Sequence, residues 1–153
     1  MNYLTGKYTN TLDDKGRLSL PSRLRAELSE NVLVVKEGED HCLWAYPPDQ
    51  WKLLSQTIIE STNPLLPEDR LIRRRFLGSA QELEIDKAGR VSLPQALRES
   101  ASLCRDCVIL GQNDYIEIWD AKEYEGYVES SQGAYQAALE KLGNTMKQSR
   151  EGL

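Results

Sequence analysis

Apolar and polar residues alternate over Arg17-Leu18-Ser19-Leu20 and again over Arg90-Val91-Ser92-Leu93. A period of two puts Leu18 and Leu20 on one face of a strand and Arg17 and Ser19 on the other. Each run follows a second strand signal and a tight turn, Lys15-Gly16 or Ala88-Gly89, and each ends at a proline, Pro21 or Pro94. Proline suits the first helical position, where its missing N–H has no partner. A short helix is therefore predicted from each proline, with Leu24 and Leu28 on one face. Two more strands follow, joined by a turn at "KEGEDH" (36–41) or "GQND" (111–114), and the last strand runs into a helix at "PPDQWKLL" or "DAKEYEGY". The predicted order is β-β-α-β-β and a helix, twice.

The two occurrences are copies. "LDDKGRLSLPSRLR" (12–25) and "IDKAGRVSLPQALR" (85–98) are identical at 8 of 14 positions at a constant offset of 73. The same offset sets "VLVV" (32–35) against "RDCV" (105–108), "CLWAYP" (42–47) against "YIEIWD" (115–120) and Trp51 against Tyr124. A unit of about 70 residues buries too little apolar surface to be robust alone, so the copies are expected to share one core. Asn63-Pro64 and Pro67 break the segment between them. A linker helix is predicted from Pro67, with Glu68 and Asp69 at the positive end of its dipole. Beyond the second copy, Tyr135, Ala138, Leu139, Leu142 and Met146 fall at helical spacing, and the closing "KQSREGL" is expected to fray. The expected division is repeat 1 over 5–53, a helical linker over 54–79, repeat 2 over 80–124, and a C-terminal helix and tail over 125–153.

Composition narrows the class. With 40% hydrophobic and 28% charged residues the 153-residue chain reads as globular. No apolar run approaches the length of a membrane span, and "MNYLTGKYTNTLDDKG" has no apolar signal core. Three cysteines, an odd and sparse count, fit a reducing compartment, so a cytoplasmic protein is expected. A net charge of −5 weighs against a polyanionic partner, but residues 70–98 carry seven basic against three acidic side chains, whereas 114–153 carry four against eight. Partners respond to that local field rather than to the total.

The candidate chemistry lies in the repeated turn. Gly16 and Gly89 suit a backbone with positive φ. Asp13 and Arg17, like Asp86 and Arg90, lie four apart across that turn and can meet. One reading is an ion pair that pins a hairpin, which on a surface contributes little. The other is recognition: the carboxylate fixes the guanidinium, whose fork of donors matches a phosphate or a guanine edge. Lys15, Arg23 and Arg25 lie near the first turn, and Lys87 and Arg98 near the second.

Other candidates carry blander readings. Cys104-Arg105-Asp106-Cys107 with Cys42 and His41 could supply four zinc ligands, but Cys107 falls where Val34 sits in the other copy, and a buried thiol behaves as a small hydrophobe. No metal or other cofactor is expected, and no nucleophile with an acid–base partner marks an enzyme. His41 sits in a polar turn and is expected to be solvated; Ser19 and Ser92 read as solvent-side strand residues or helix caps. Trp44, Tyr46, Trp51, Trp119, Tyr124 and Tyr127 read as packing residues before base-stacking ones, and "IRRRF" (72–76) is either a solvated helix face or a second basic contact.

The chain resembles the MraZ family, bacterial transcription regulators of the AbrB-like swapped-hairpin group. The resemblance rests on Asp13-Asp14-Lys15-Gly16-Arg17 and Asp86-Lys87-Ala88-Gly89-Arg90, each an Asp-x-x-x-Arg signature, on "RLSLP" and "RVSLP" after them, on "RRRFLGSA" and on "IEIWD". It covers roughly residues 3–124, and Tyr3-Leu4-Thr5-Gly6 is a looser match. It implies an α+β fold in which two β-β-α-β-β repeats interleave as a double-split β-α-β swapped-hairpin barrel. It further implies homo-oligomeric rings that bind double-stranded DNA at short direct repeats, in the promoter of a division and cell-wall gene cluster that includes the protein's own gene. Such a protein would sit with the nucleoid. Arg17 and Arg90 would be the chief contacts, oriented by Asp13 and Asp86. The alternative is a scaffold that binds no DNA and engages a basic partner through its acidic tail.

Overall fold

A computed structural model describes residues 3–151. The first repeat runs β1 (Lys7–Thr11), β2 (Arg17–Ser19), α1 (Ser22–Arg25), β3 (Val32–Glu37) and β4 (Leu43–Tyr46). The linker holds α2 (Pro48–Glu60), α3 (Pro67–Ile72) and one π-helical turn (Arg73–Leu77). The second repeat runs β5 (Gln81–Glu84), β6 (Arg90–Ser92), α4 (Gln95–Ser100), β7 (Asp106–Gly111) and β8 (Ile116–Asp120), followed by α5 (Ala121–Ser130) and α6 (Gln132–Glu151).

The repeats exchange strands. β1 pairs antiparallel with β7 of the other repeat, β5 pairs with β3, and the hairpins β3–β4 and β7–β8 meet edge to edge through β4 and β8. The six-stranded sheet has the order β1-β7-β8-β4-β3-β5, and β2 pairs with β6 as a separate ribbon. The α+β class and the interleaved repeats match the sequence reading. The sheet itself is open at β1 and β5 rather than closed on itself as a barrel.

The period-two pattern does what it predicts. Leu18 and Val91 face each other at the centre of the ribbon, 0% and 1% exposed, while Ser19 and Ser92 stand outside. Under the ribbon, Leu20, Leu24, Leu93 and Leu97 pack on Leu33, Val35, Leu43, Ile109 and Ile118 in one core built from both copies. Neither half could bury these residues alone, because the ribbon and the sheet each need a strand from the other repeat.

Three local expectations need adjustment. Pro21 and Pro94 are the residues before the helices rather than the first helical ones; their ψ values of 135° and 148° are extended. Leu28 lies beyond α1, partly buried against the core. The constant offset also slips once. Val34 pairs with Tyr46 and Val108 with Trp119, so Trp119 is 73 beyond its counterpart but Val108 is 74 beyond. Cys107 is thus the counterpart of Leu33, not Val34; both are buried, so the apolar reading of Cys107 survives the shift. The extra residue is absorbed after α4, which has six residues where α1 has four.

The chain divides after Ala121 into two compact units. In the second, α6 stays helical through Glu151, so 147–151 do not fray as expected; 152–153 lie outside the described residues. Tyr135, Leu139, Leu142 and Met146 are exposed along α6. Among the described residues no helix is long and apolar enough to cross a membrane.

Candidate nucleic-acid interface

The β2–β6 ribbon carries the candidate site. Its register pairs Arg17 with Ser92, Leu18 with Val91 and Ser19 with Arg90. Partners in a ladder share a face, and alternate residues point oppositely. The inward face is therefore Leu18 and Val91, and the outward face is Arg17, Ser19, Arg90 and Ser92. The two arginines stand diagonally across an internal two-fold axis, about one third exposed each.

The turn before each strand explains the Asp-x-x-Gly-Arg spacing. Gly16 and Gly89 have φ of +79° and +80°, the left-handed region that a side chain makes costly. The Gly16 N–H donates to the Asp13 carbonyl at 3.0 Å, and the Asp13 N–H to the Arg17 carbonyl at 2.9 Å. Asp13 Oδ1 accepts the amides of Lys15 (3.0 Å) and Arg17 (2.8 Å), and Oδ2 accepts Arg17 Nε at 2.8 Å. Asp86 repeats the arrangement with the amides of Ala88 and Arg90, both 2.9 Å, and Arg90 Nε at 3.1 Å. The Arg17 amide, then its side chain and the Lys15 amide, hold the Asp13 carboxyl below the usual carboxylate range. The Arg90 amide does the same for Asp86, with its side chain second. Each carboxylate accepts its arginine through Nε. Each aspartate thus accepts three hydrogen bonds, two from turn amides and one from the arginine side chain, which ties the guanidinium to the turn.

The remaining cations divide by environment. Lys15, Lys87 and Arg23 are exposed. Arg25 and Arg98 are half-buried and reach the opposite repeat: a β-carbon on Gly89 would lie 2.2 Å from Arg25 Nη1, and one on Gly16 would lie 2.9 Å from Arg98 Nε. Of the consecutive linker arginines, Arg73 caps the end of α2, donating to Thr62 Oγ1 (2.8 Å) and to the carbonyls of Ile59 and Thr62 (both 3.1 Å). Arg74 and Arg75 are exposed.

The aromatic residues of the first unit pack on each other. Tyr46 stacks on Tyr115 with centroids 4.7 Å apart, and Trp51 on Phe76 at 6.2 Å. Glu117 accepts the indole N–H groups of Trp44 (2.9 Å) and Trp119 (3.0 Å). Lys36, expected as the first residue of the turn "KEGEDH", instead lies in β3 and is buried, with its ammonium donating to the Glu37 carbonyl and lying 4.0 Å from the Phe76 ring centre. Burial pulls its pKa down. A lysine after "VLVV" reads as the start of a turn, and only the rings of Trp44 and of Phe76, forty residues on, identify it as an aromatic-boxed core cation. His41 is exposed, but its Nε2 is 2.7 Å from Ser102 Oγ, so it is tethered rather than free in solvent. Cys42 and Cys107 are buried and Cys104 is exposed. Burial pushes the Cys107 thiol up to about 11 and the Cys42 thiol further up. Among the described residues no group of three or more His, Cys, Asp or Glu side chains is placed to hold a metal ion.

Two strand-swapped β-β-α-β-β halves, with an aspartate-mounted arginine at each end of a shared ribbon, define a member of the AbrB-like class. The family model described as "MraZ protein, putative antitoxin-like" matches the chain twice, over residues 3–74 and 76–144, one match per repeat. The protein named transcriptional regulator MraZ from Treponema denticola is 45% identical over 140 residues, 92% of this chain and 97% of that one. Those from Treponema pallidum and Desulfitobacterium hafniense are each 41% identical, over 92% and 91% of this chain and 95% and 96% of theirs. The chain belongs to the MraZ family.

Proposed function

We propose that the protein is a sequence-specific DNA-binding transcription regulator, with no catalytic role, acting on direct repeats in the promoter of a division and cell-wall gene cluster that includes its own gene. The observation that carries this reading is the shared outward face of the ribbon, where Arg17 and Arg90 stand related by the internal two-fold axis. A two-stranded ribbon fits the major groove, and a guanidinium fork pairs with a guanine edge there. Lys15, Lys87 and Arg23 add exposed charge for phosphates, which gives affinity without sequence information. The relatives named as transcriptional regulators support the same reading.

One acidic subunit offers few phosphate contacts, so several subunits are needed to hold DNA by avidity. The proposed assembly is a homo-oligomeric ring. Its occupant for the α6 face is a second copy of that helix. Tyr135, Leu139, Leu142 and Met146 are spaced four, three and four apart, the seam of a left-handed coiled coil. The flanking Gln136, Ala138, Gly143 and Thr145 are uncharged, while Glu140, Lys141 and Lys147 lie off the seam, so like can meet like without repulsion.

The test is a gel shift with DNA from upstream of the protein's own gene at two salt concentrations. Wild type shifts the fragment with steep salt dependence, and Arg17→Ala with Arg90→Ala abolishes the shift while the protein stays a folded oligomer. A normal shift by the double variant refutes the assigned surface. Sedimentation of Leu139→Glu/Leu142→Glu checks the seam: a smaller assembly is expected, and an unchanged one removes α6 from the interface.

A further inference from the structure

We infer that Arg25 and Arg98 act across the repeats as positioning residues, each setting the pose of the recognition arginine in the opposite copy. The inference rests on the DNA-binding reading for its purpose, but its geometry stands apart from it. Gly16 and Gly89 sit at the tips of tight turns, where solvent exposure is the ordinary state, yet both are buried. The atoms over them are guanidinium groups from the other repeat. A β-carbon on Gly16 would be 2.9 Å from Arg98 Cζ and 2.9 Å from its Nε; one on Gly89 would be 2.2 Å from Arg25 Nη1 and 2.4 Å from its Cζ. Each turn needs glycine for its φ, and a methyl there would also have to displace the guanidinium above it.

The backbone completes the link. The Leu93 N–H donates to the Gly16 carbonyl at 2.9 Å, and Arg98 Nε donates to the Leu93 carbonyl, also at 2.9 Å. Gly16, Leu93 and Arg98 therefore form a closed circuit: peptide to peptide, peptide to guanidinium, guanidinium back over the glycine. Arg17 is the next residue after that glycine. In the other direction the Leu20 N–H donates to the Gly89 carbonyl at 2.9 Å, but Arg25 Nε is buried with no hydrogen-bond partner. The circuit at Gly16 is closed and the one at Gly89 is open by one bond, so the two recognition arginines are not held equally. A lysine at either position would keep the charge but has neither a planar head group nor an Nε donor.

The tests use the full chain. Hydrogen exchange read by mass spectrometry, without DNA, compares wild type with Arg98→Lys and Arg25→Lys. Arg98→Lys is expected to speed exchange severalfold in peptides spanning 13–18 and to leave 86–91 unchanged; Arg25→Lys does the reverse. Change confined to the substituted residue's own helix overturns the inference. With promoter DNA, a double-mutant cycle separates positioning from direct contact. Arg98→Lys should weaken binding by at least tenfold in wild type and in Arg90→Ala, and hardly at all in Arg17→Ala. Equal losses in all three backgrounds make Arg98 an independent contact, and wild-type binding by Arg98→Lys gives its guanidinium no part in recognition; either overturns the inference. If the lysine variants do not fold, Arg98→Gln, which keeps a planar group, enters both measurements with the same expected signs. If wild type binds no promoter DNA, the regulatory reading falls and the exchange experiment still decides this one.

Discussion

Alanine at the turn glycines tests local strain against cross-repeat packing. At Gly89 the backbone stands at φ +80°, and a β-carbon in that region costs about 1–2 kcal/mol. The added methyl also meets Arg25 Nη1 at 2.2 Å, but this is the mobile end of a long side chain that makes no Nε hydrogen bond, so swinging it aside adds little. At Gly16 the backbone strain is the same, with φ +79°. Here the displaced group is Arg98, whose Nε bond to the Leu93 carbonyl is lost with it, a further ~1 kcal/mol. Gly16→Ala should therefore destabilise by about 2–3 kcal/mol and Gly89→Ala by about 1–2 kcal/mol, the reverse of the order that the bare contact distances suggest. Urea unfolding followed by tryptophan fluorescence reads this out, since Trp44, Trp51 and Trp119 all lie in the unit before Ala121. Gly143→Ala on α6, where an added methyl meets nothing within 4 Å, should leave that transition in place. The reasoning fails if both turn variants unfold at the wild-type urea concentration, or if Gly89→Ala is the more damaged.

Leu18→Ala removes a fully buried side chain from the ribbon and should cost about 3–5 kcal/mol in the same assay; a loss below about 1 kcal/mol would mean the ribbon does not seal the core. Iodoacetamide at pH 7.5 should add one label to the native protein, at Cys104, because Cys42 and Cys107 are buried with raised thiol pKa values; mass spectrometry showing two or three rapid adducts contradicts this. Asp13 and Asp86 ionise below their ordinary 3.8, so what they contribute to stability is complete above that value and lost as pH falls through the lowered one. Urea midpoints should show no change from these turns between pH 7 and 5 and a decline below about pH 4 that is smaller in Asp13→Asn/Asp86→Asn; an equal decline in the variant assigns the acid sensitivity elsewhere.

The fold was legible wherever a pattern is local. Alternation over residues 17–20 and 90–93 set the ribbon's inward face, and the duplicated prolines placed both short helices to within one residue. The slip from 73 to 74 was not legible, because β3 and β7 each carry a continuous buried run, "LVVK" (33–36) and "CVI" (107–109), and an apolar run looks the same after a one-residue shift. Strand order was equally hidden: nothing within β1 distinguishes β7 from β3 as its partner, and the swap follows only from packing two halves into one core. Arg73 and Lys36 misled for the opposite reason. Both are charged residues in plausible surface settings, and each finds its partners only through the fold, at the end of α2 and over Phe76.

The site divides along the same line, and the division explains the repeat itself. Asp13, Gly16 and Arg17 interact within one turn, so their chemistry can be read from spacing alone. Arg25 and Arg98 were grouped with them as basic neighbours, whereas their guanidinium groups lie over Gly89 and Gly16, in the other copy. A hairpin that only pinned itself would need Asp, Gly and Arg repeated and nothing more. A strand-swapped pair whose turns are covered from the opposite side needs, in addition, the same arginine nine residues after each glycine, since each copy must both give and receive the cover. Arg25 follows Gly16 by nine and Arg98 follows Gly89 by nine. Across the helix, where α1 and α4 differ in length and composition, the identical pairs are Leu24/Leu97, which fills the core, and Arg25/Arg98, which covers the opposite turn.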